Sequence, residues 1–106
     1  SASAQEVCNA LAKGITMKYP NVTIQKFPLA DGGDDTLAIL SFIYKSNMVV
    51  CEVLNPIGEL IQSEYAISLD GNTAIIEIAK ASGLGLVRES ARNIMSSNTF
   101  GTGQLI

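Results

Sequence analysis

Apolar positions near the start of the chain recur every fourth residue. Val7, Leu11 and Ile15 form one stripe, with Cys8 and Ala12 on the same side. That spacing predicts an amphipathic helix of about four turns. Ser3-Ala4-Gln5-Glu6 opens it as a capping box, in which Ser3 Oγ accepts the Glu6 N–H and the Glu6 carboxylate reaches back to the Ser3 N–H. Pro20 and Asn21 end it. The period then shortens to two. Val22, Ile24 and Phe27, with Thr23 and Gln25 alternating outward, predict a short strand. A loop, Pro28-Leu29-Ala30-Asp31-Gly32-Gly33, leads into a second predicted helix from about Asp34 to Lys45. Its acidic first turn and basic last residue suit the helix dipole. The first helix's stripe and Leu37, Ile39, Leu40, Phe42 and Ile43 of the second are the expected core.

The pattern changes after Ser46-Asn47. Met48 to Leu54 reads as a strand, Asn55-Pro56-Ile57-Gly58 as a turn, and Glu59 to Leu69 as the returning strand. Asp70-Gly71-Asn72 turns again into Thr73 to Ile78. A helix–strand–helix unit is thus followed by a three-stranded meander, an α/β chain with a candidate domain boundary near residues 46–47. Neither repeats nor low-complexity segments occur. The first residue already stands at a helix cap, and Thr99 to Ile106 reads as a helix beginning. Both ends lead to the expectation that the chain is a fragment.

Composition narrows the function classes. The chain has 106 residues, 47% of them hydrophobic and 16% charged, enough to bury a core. Its formal net charge is −3, with seven scattered Lys and Arg, which argues against nucleic acid or an anionic membrane surface as partner. No apolar run reaches the ~18 residues of a membrane span, and no signal peptide is evident, so cytoplasmic localisation is the default expectation. The chain lacks histidine, which removes Ser-His-Asp and Cys-His catalysis and most zinc sites. Cys8 and Cys51 have neither metal nor redox spacing and read as small buried hydrophobes.

Three stretches can carry chemistry. Asp31-Gly32-Gly33 lies where a predicted strand passes into a helix, the place where α/β proteins bind ligands. Its glycines permit close backbone approach, the helix start offers N–H groups to an anion, and Asp31 can hold a hydroxyl or a metal ion. An ordinary turn, with Asp31 satisfying nearby amides, is the commoner origin of such a pattern. Thr99, Gly101, Thr102 and Gly103 form a second candidate phosphate cradle, or a plain helix-capping turn. The lysine and spacing of a P-loop are absent. Glu77 interrupts the apolar run Ala74 to Ala79, so it needs solvent on one face, the commoner arrangement, or a buried partner. Ser82-Gly83 is a turn or a substrate contact.

Together, Ser3-Ala4-Gln5-Glu6-Val7, Pro28 to Gly33, Asn55-Pro56-Ile57-Gly58-Glu59, Ala74 to Leu84 and Thr99 to Ile106 resemble the type I bacterial glycerate kinases in order and spacing. The resemblance covers essentially the whole chain. It implies ATP-dependent phosphorylation of D-glycerate, with Mg2+, in a longer two-domain α/β enzyme whose active site lies between the domains. Residues 1–46 would then be part of a Rossmann-like domain, and 47–106 part of the second: the meander, then a glycine-rich segment opening a helix. The partner of this chain would be the remainder of the same polypeptide. By position, Asp31 and Glu77 are the candidate catalytic residues. Gly32, Gly33, Ser82, Thr99, Gly101, Thr102 and Gly103 are the candidate substrate or phosphate contacts, and no residue is assigned to a metal. These segments are expected to converge on one anion-receptive crevice. Where the family often reads Glu-Gly, this chain has Asp34-Asp35, which puts a close backbone contact at Asp35 in doubt.

Two other functions fit the residues alone. One is a non-catalytic module binding an organic acid or nucleotide at the same glycine loops. The other is an interaction or structural domain.

Overall fold

The computed structural model describes residues 2–106. Helix α1 spans Ala4–Lys18 and carries both halves of the capping box. Ser3 Oγ accepts the Glu6 N–H at 3.2 Å, and Glu6 Oε2 accepts the Ser3 N–H at 2.8 Å. Its apolar stripe is not core. Val7, Leu11 and Ile15 are all exposed, because no other element among the described residues covers that side of the helix. The strand expected at Val22 to Phe27 does not form either. Alternation alone does not hold a strand without a neighbour to pair with, and no strand among the described residues lies beside this segment.

Helix α2 spans Thr36–Ile43, shorter than expected at both ends. Asp35 takes a left-handed conformation (φ 71°) and Lys45 another (φ 49°), so Asp34, Asp35 and Lys45 lie outside the helix. Leu37 is fully buried and Leu40 packs beside it, but Phe42 and Ile43 are exposed. Only one side of this helix meets the sheet.

The sheet is antiparallel in the order β1-β2-β3. Strands β1 (Ser46–Leu54) and β2 (Leu60–Ser68) pair along their whole length, from Ser46 opposite Ser68 to Leu54 opposite Leu60. Their register is set by the intervening turn. Asn55, 1% exposed, accepts the N–H groups of Ile57 and Glu59 on Oδ1. Gly58 adopts a φ of 82° that a side chain would strain, and its N–H donates to the Asn55 carbonyl at 3.0 Å. The third strand is far shorter than the expected Thr73 to Ile78. Only Ala74–Ile75 pair, with Ile67 and Ala66, before the chain turns into the one-turn helix α3 (Ala79–Ser82).

Side chains alternate across the sheet, and each face holds its own cluster. Leu37 of α2 packs on Ala66 and Ile75 on one face. Val53, Ala81 and Leu105 pack on the other, with Cys51, Ile61, Tyr65 and Ile76 around them. Burying a residue such as Leu37 or Val53 contributes roughly 1.5–3 kcal/mol. Single turns of 3-10 helix at Leu84–Leu86, Glu89–Ala91 and Ile94–Ser96 lead to the last helix, α4 (Phe100–Leu105). The result is an α/β fold with α2 on one side of a three-stranded sheet and α3 and α4 on the other. Among the described residues no helix is long and apolar enough to cross a membrane.

Candidate functional site

The first group of candidate residues gathers at the start of α2. The Gly33 N–H donates to Asp31 Oδ1 at 2.9 Å, so Asp31 closes the turn itself and its side chain stays exposed. The N–H groups expected to be open to an anion are partly consumed. Thr36 N–H donates to the Gly33 carbonyl at 3.2 Å, and Leu37 N–H donates to Glu77 Oε2 at 2.9 Å. Glu77 is 3% exposed, which decides between solvent and partner in favour of a partner. A buried carboxylate is tolerated here because a charge-assisted bond and the positive end of the α2 dipole both stabilise it. Asp35 Oδ2 accepts the Ala4 N–H at 3.3 Å and ties the start of α1 to this loop.

One turn beyond Glu77 stands Lys80, bonded to Glu64 Oε1 at 2.8 Å. That bond holds the ammonium above its usual pKa against the opposing effect of burial, and the charges of Glu64, Glu77 and Asp35 add to it.

The second group lies on the other side of α3. Ser82 Oγ and Thr102 Oγ1 are 2.6 Å apart, joining residues twenty positions apart in sequence. Thr99 caps α4 from an exposed position without a side-chain bond, and its carbonyl accepts the Thr102 N–H. Gly101, Thr102 and Gly103 sit inside α4, within the segment the sequence reads as a helix beginning. Gly101 has a packing reason: a Cβ there would stand 1.7 Å from the Leu54 carbonyl oxygen. Gly103 faces open space. Gln104 Oε1 accepts the Leu54 N–H at 2.8 Å, which fastens α4 to the end of β1.

Hydrogen bonds link the candidate residues in two sets, Glu77 to the start of α2 and Ser82 to Thr102 of α4. Asp31, Gly32, Gly33 and Glu77 stand around the start of α2. Ser82, Thr99, Gly101, Thr102 and Gly103 stand around α4. A cavity of about 460 Å³ lies between the start of α1, α2 and the Lys26–Leu29 segment and includes none of these residues. A second, about 350 Å³, is lined by Ser82 together with Pro56, Arg92, Asn93 and Ser97. Among the described residues no group of three or more Cys, Asp or Glu could hold a metal ion. Cys8 and Cys51 are free thiols, both half-buried.

Two residues escaped the sequence reading. The sequence marks Asn55 only as part of a turn, yet its amide also donates to the Leu86 carbonyl at 3.3 Å and joins the turn to the 84–86 segment. Arg92 lies in a stretch without periodicity or motif, so nothing local marked it as lining a cavity.

The model of the glycerate kinase family matches residues 1–106. The glycerate kinase of Haemophilus influenzae is 41% identical over 106 residues, covering 100% of this chain and 28% of that protein. The glycerate 2-kinase of Escherichia coli is 38% identical, with the same coverage of each. A crystal structure from Salmonella typhimurium LT2, provisionally named glycerate kinase 2, superposes with a TM-score of 0.74 at 36% identity, over 99% of this chain and 28% of that one. The chain spans little more than a quarter of the length of the relatives it matches.

Proposed function

The chain belongs to the glycerate kinase family, and from that premise we propose that the full-length protein transfers a phosphoryl group from ATP to a hydroxyl of D-glycerate. The supporting observation within the chain is the bond from Leu37 N–H to Glu77 Oε2, which joins the Asp31-Gly32-Gly33 loop's helix to the Ala74–Leu84 segment across 40 positions.

Phosphoryl transfer is largely a matter of positioning and charge neutralisation. In this reading Asp31, exposed at the loop and held in its turn by Gly33, orients the glycerate hydroxyl or accepts its proton. Glu77 fixes the start of α2 and with it the loop that carries Asp31. Ser82 and Thr102 offer hydroxyls to substrate or phosphate oxygens. Mg2+ neutralises phosphate charge in such reactions. No residue of this chain is assigned to it.

We also assign residues 1–46 to a Rossmann-like domain and 47–106 to the second domain. The bare apolar stripe of α1, together with exposed Phe27, Leu29, Phe42 and Ile43, supports a covering by further segments of the same polypeptide. Leu37 joins the sheet's core, so the two parts meet at α2. The test is ADP production by the purified full-length protein with and without D-glycerate. Glycerate-independent ADP release, or none, would reject the reading.

A further inference from the structure

The 350 Å³ groove between the Asn55–Gly58 turn and the 84–97 segment has the attributes of an anion site. Its volume falls in the range of small-ligand pockets. Its walls are fastened to each other. Asn55 Nδ2 donates to the Leu86 carbonyl at 3.3 Å, and the Asn98 N–H donates to the Pro56 carbonyl at 3.0 Å. One cation lines it, Arg92, and no carboxylate does. Arg92 Nε donates to the Val87 carbonyl at 3.2 Å. That bond fixes one edge of the guanidinium plane, and among the described residues the terminal nitrogens have no hydrogen-bond or ion-pair partner. By contrast, Lys80 and Arg88 are paired with Glu64 and Glu59.

Polar groups other than the guanidinium open on the same groove. Ser82 lines it, and its hydroxyl is positioned by Thr102 at 2.6 Å. Asn93 Oδ1 accepts the Met95 N–H, which leaves its amide NH2 as a donor. A fixed guanidinium, a hydroxyl and an amide donor in a carboxylate-free groove suit a planar or tetrahedral oxyanion.

We propose that Arg92, with Ser82, binds a carboxylate or phosphate oxyanion of a reactant in this groove, the anion being the carboxylate of glycerate or a phosphate of the nucleotide. This rests on the kinase reading and adds Arg92 to the binding residues.

The test uses full-length Arg92→Gln and Arg92→Lys variants, with KM measured separately for D-glycerate and for ATP–Mg2+. Loss of a bidentate charge-assisted contact raises one KM by roughly 10- to 100-fold in Arg92→Gln. Arg92→Lys recovers only part of it, since an ammonium lacks the fork geometry. A rise confined to glycerate assigns the carboxylate, and one confined to ATP assigns the phosphate. If both constants stay within about twofold of wild type, the proposal is overturned. If Arg92→Gln does not fold, the same constants for Arg92→Lys decide. A merely structural Arg92 would lower the melting temperature without moving either KM. If the wild-type protein makes no glycerate-dependent ADP, the kinase reading itself has failed. Calorimetry with D-glycerate and with ATP–Mg2+ then still tests the groove: binding lost in Arg92→Gln supports it, and no binding to wild type overturns it.

Discussion

Glu77 Oε2 accepts the backbone N–H of Leu37 at 2.9 Å, so a carboxylate after β3 holds the first turn of a helix across 40 positions of sequence. Replacing Glu77 by Ala leaves a buried donor unsatisfied and removes a charge from the positive end of α2. The expected loss is about 2–3 kcal/mol in the full-length protein, read from denaturant midpoints. Glu77→Gln keeps an acceptor oxygen and should lose less. Equal midpoints for Glu77→Ala and wild type would remove the cap from the account of stability.

Asp31 is exposed and its one bond is local to its own turn, so Asp31→Asn should leave stability nearly unchanged. Turnover of the full-length enzyme should nonetheless fall by about 10²–10⁴-fold, the range for a lost proton acceptor or positioning carboxylate. A variant with near-normal turnover would take Asp31 out of the mechanism.

Gly101 and Gly103 lie two positions apart in α4 but differ in surroundings. A Cβ at Gly101 would meet the Leu54 carbonyl oxygen at 1.7 Å, whereas one at Gly103 meets nothing within 4 Å. Gly101→Ala should therefore cost about 1–3 kcal/mol or more, because α4 must move off β1. Gly103→Ala should be neutral or stabilise by about 0.5–1 kcal/mol through helix propensity. Thermal melts of the two variants in parallel check the contrast, and similar shifts would contradict it.

Glu6 carries the capping box of α1. The Ser3 backbone N–H, and then its hydroxyl, hold the Glu6 carboxyl below its usual value of 4.5. A carboxyl that binds its proton less readily when folded contributes stability present above the unfolded value. That contribution disappears as pH falls below 4.5 through the lower folded value. Amide protection in the first turn of α1, measured as exchange relative to the intrinsic rate at each pH, should therefore fall as the solution is acidified through that window. Glu6→Gln should exchange faster at neutral pH and show less of this acid dependence. An acid response identical in Glu6→Gln and wild type would show that another group is responsible.

Residues 1–106 expressed alone should produce no glycerate-dependent ADP, since a reaction of two substrates needs both aligned and water excluded. The isolated chain should also bind a hydrophobic dye or self-associate, because Leu11, Phe27, Leu29, Phe42 and Ile43 are uncovered. Measurable kinase activity from this chain alone would place a complete site within it.

Local signals in the sequence determined much of this protein. The capping box of Ser3 and Glu6, the two long strands, the turn at Asn55 to Gly58 and the family itself were all legible. Each rests on residues within a few positions of one another, or on motifs in fixed order. Only the tertiary structure decided that Val22 to Phe27 has no strand to pair with among the described residues and that Glu77 is buried. It alone joined Ser82 to Thr102 and set Gly101 against Leu54. Those relationships link residues 20 to 50 positions apart. Periodicity reports which face of an element is apolar; it does not report which other element will cover that face, and that is settled when the sheet and its helices pack.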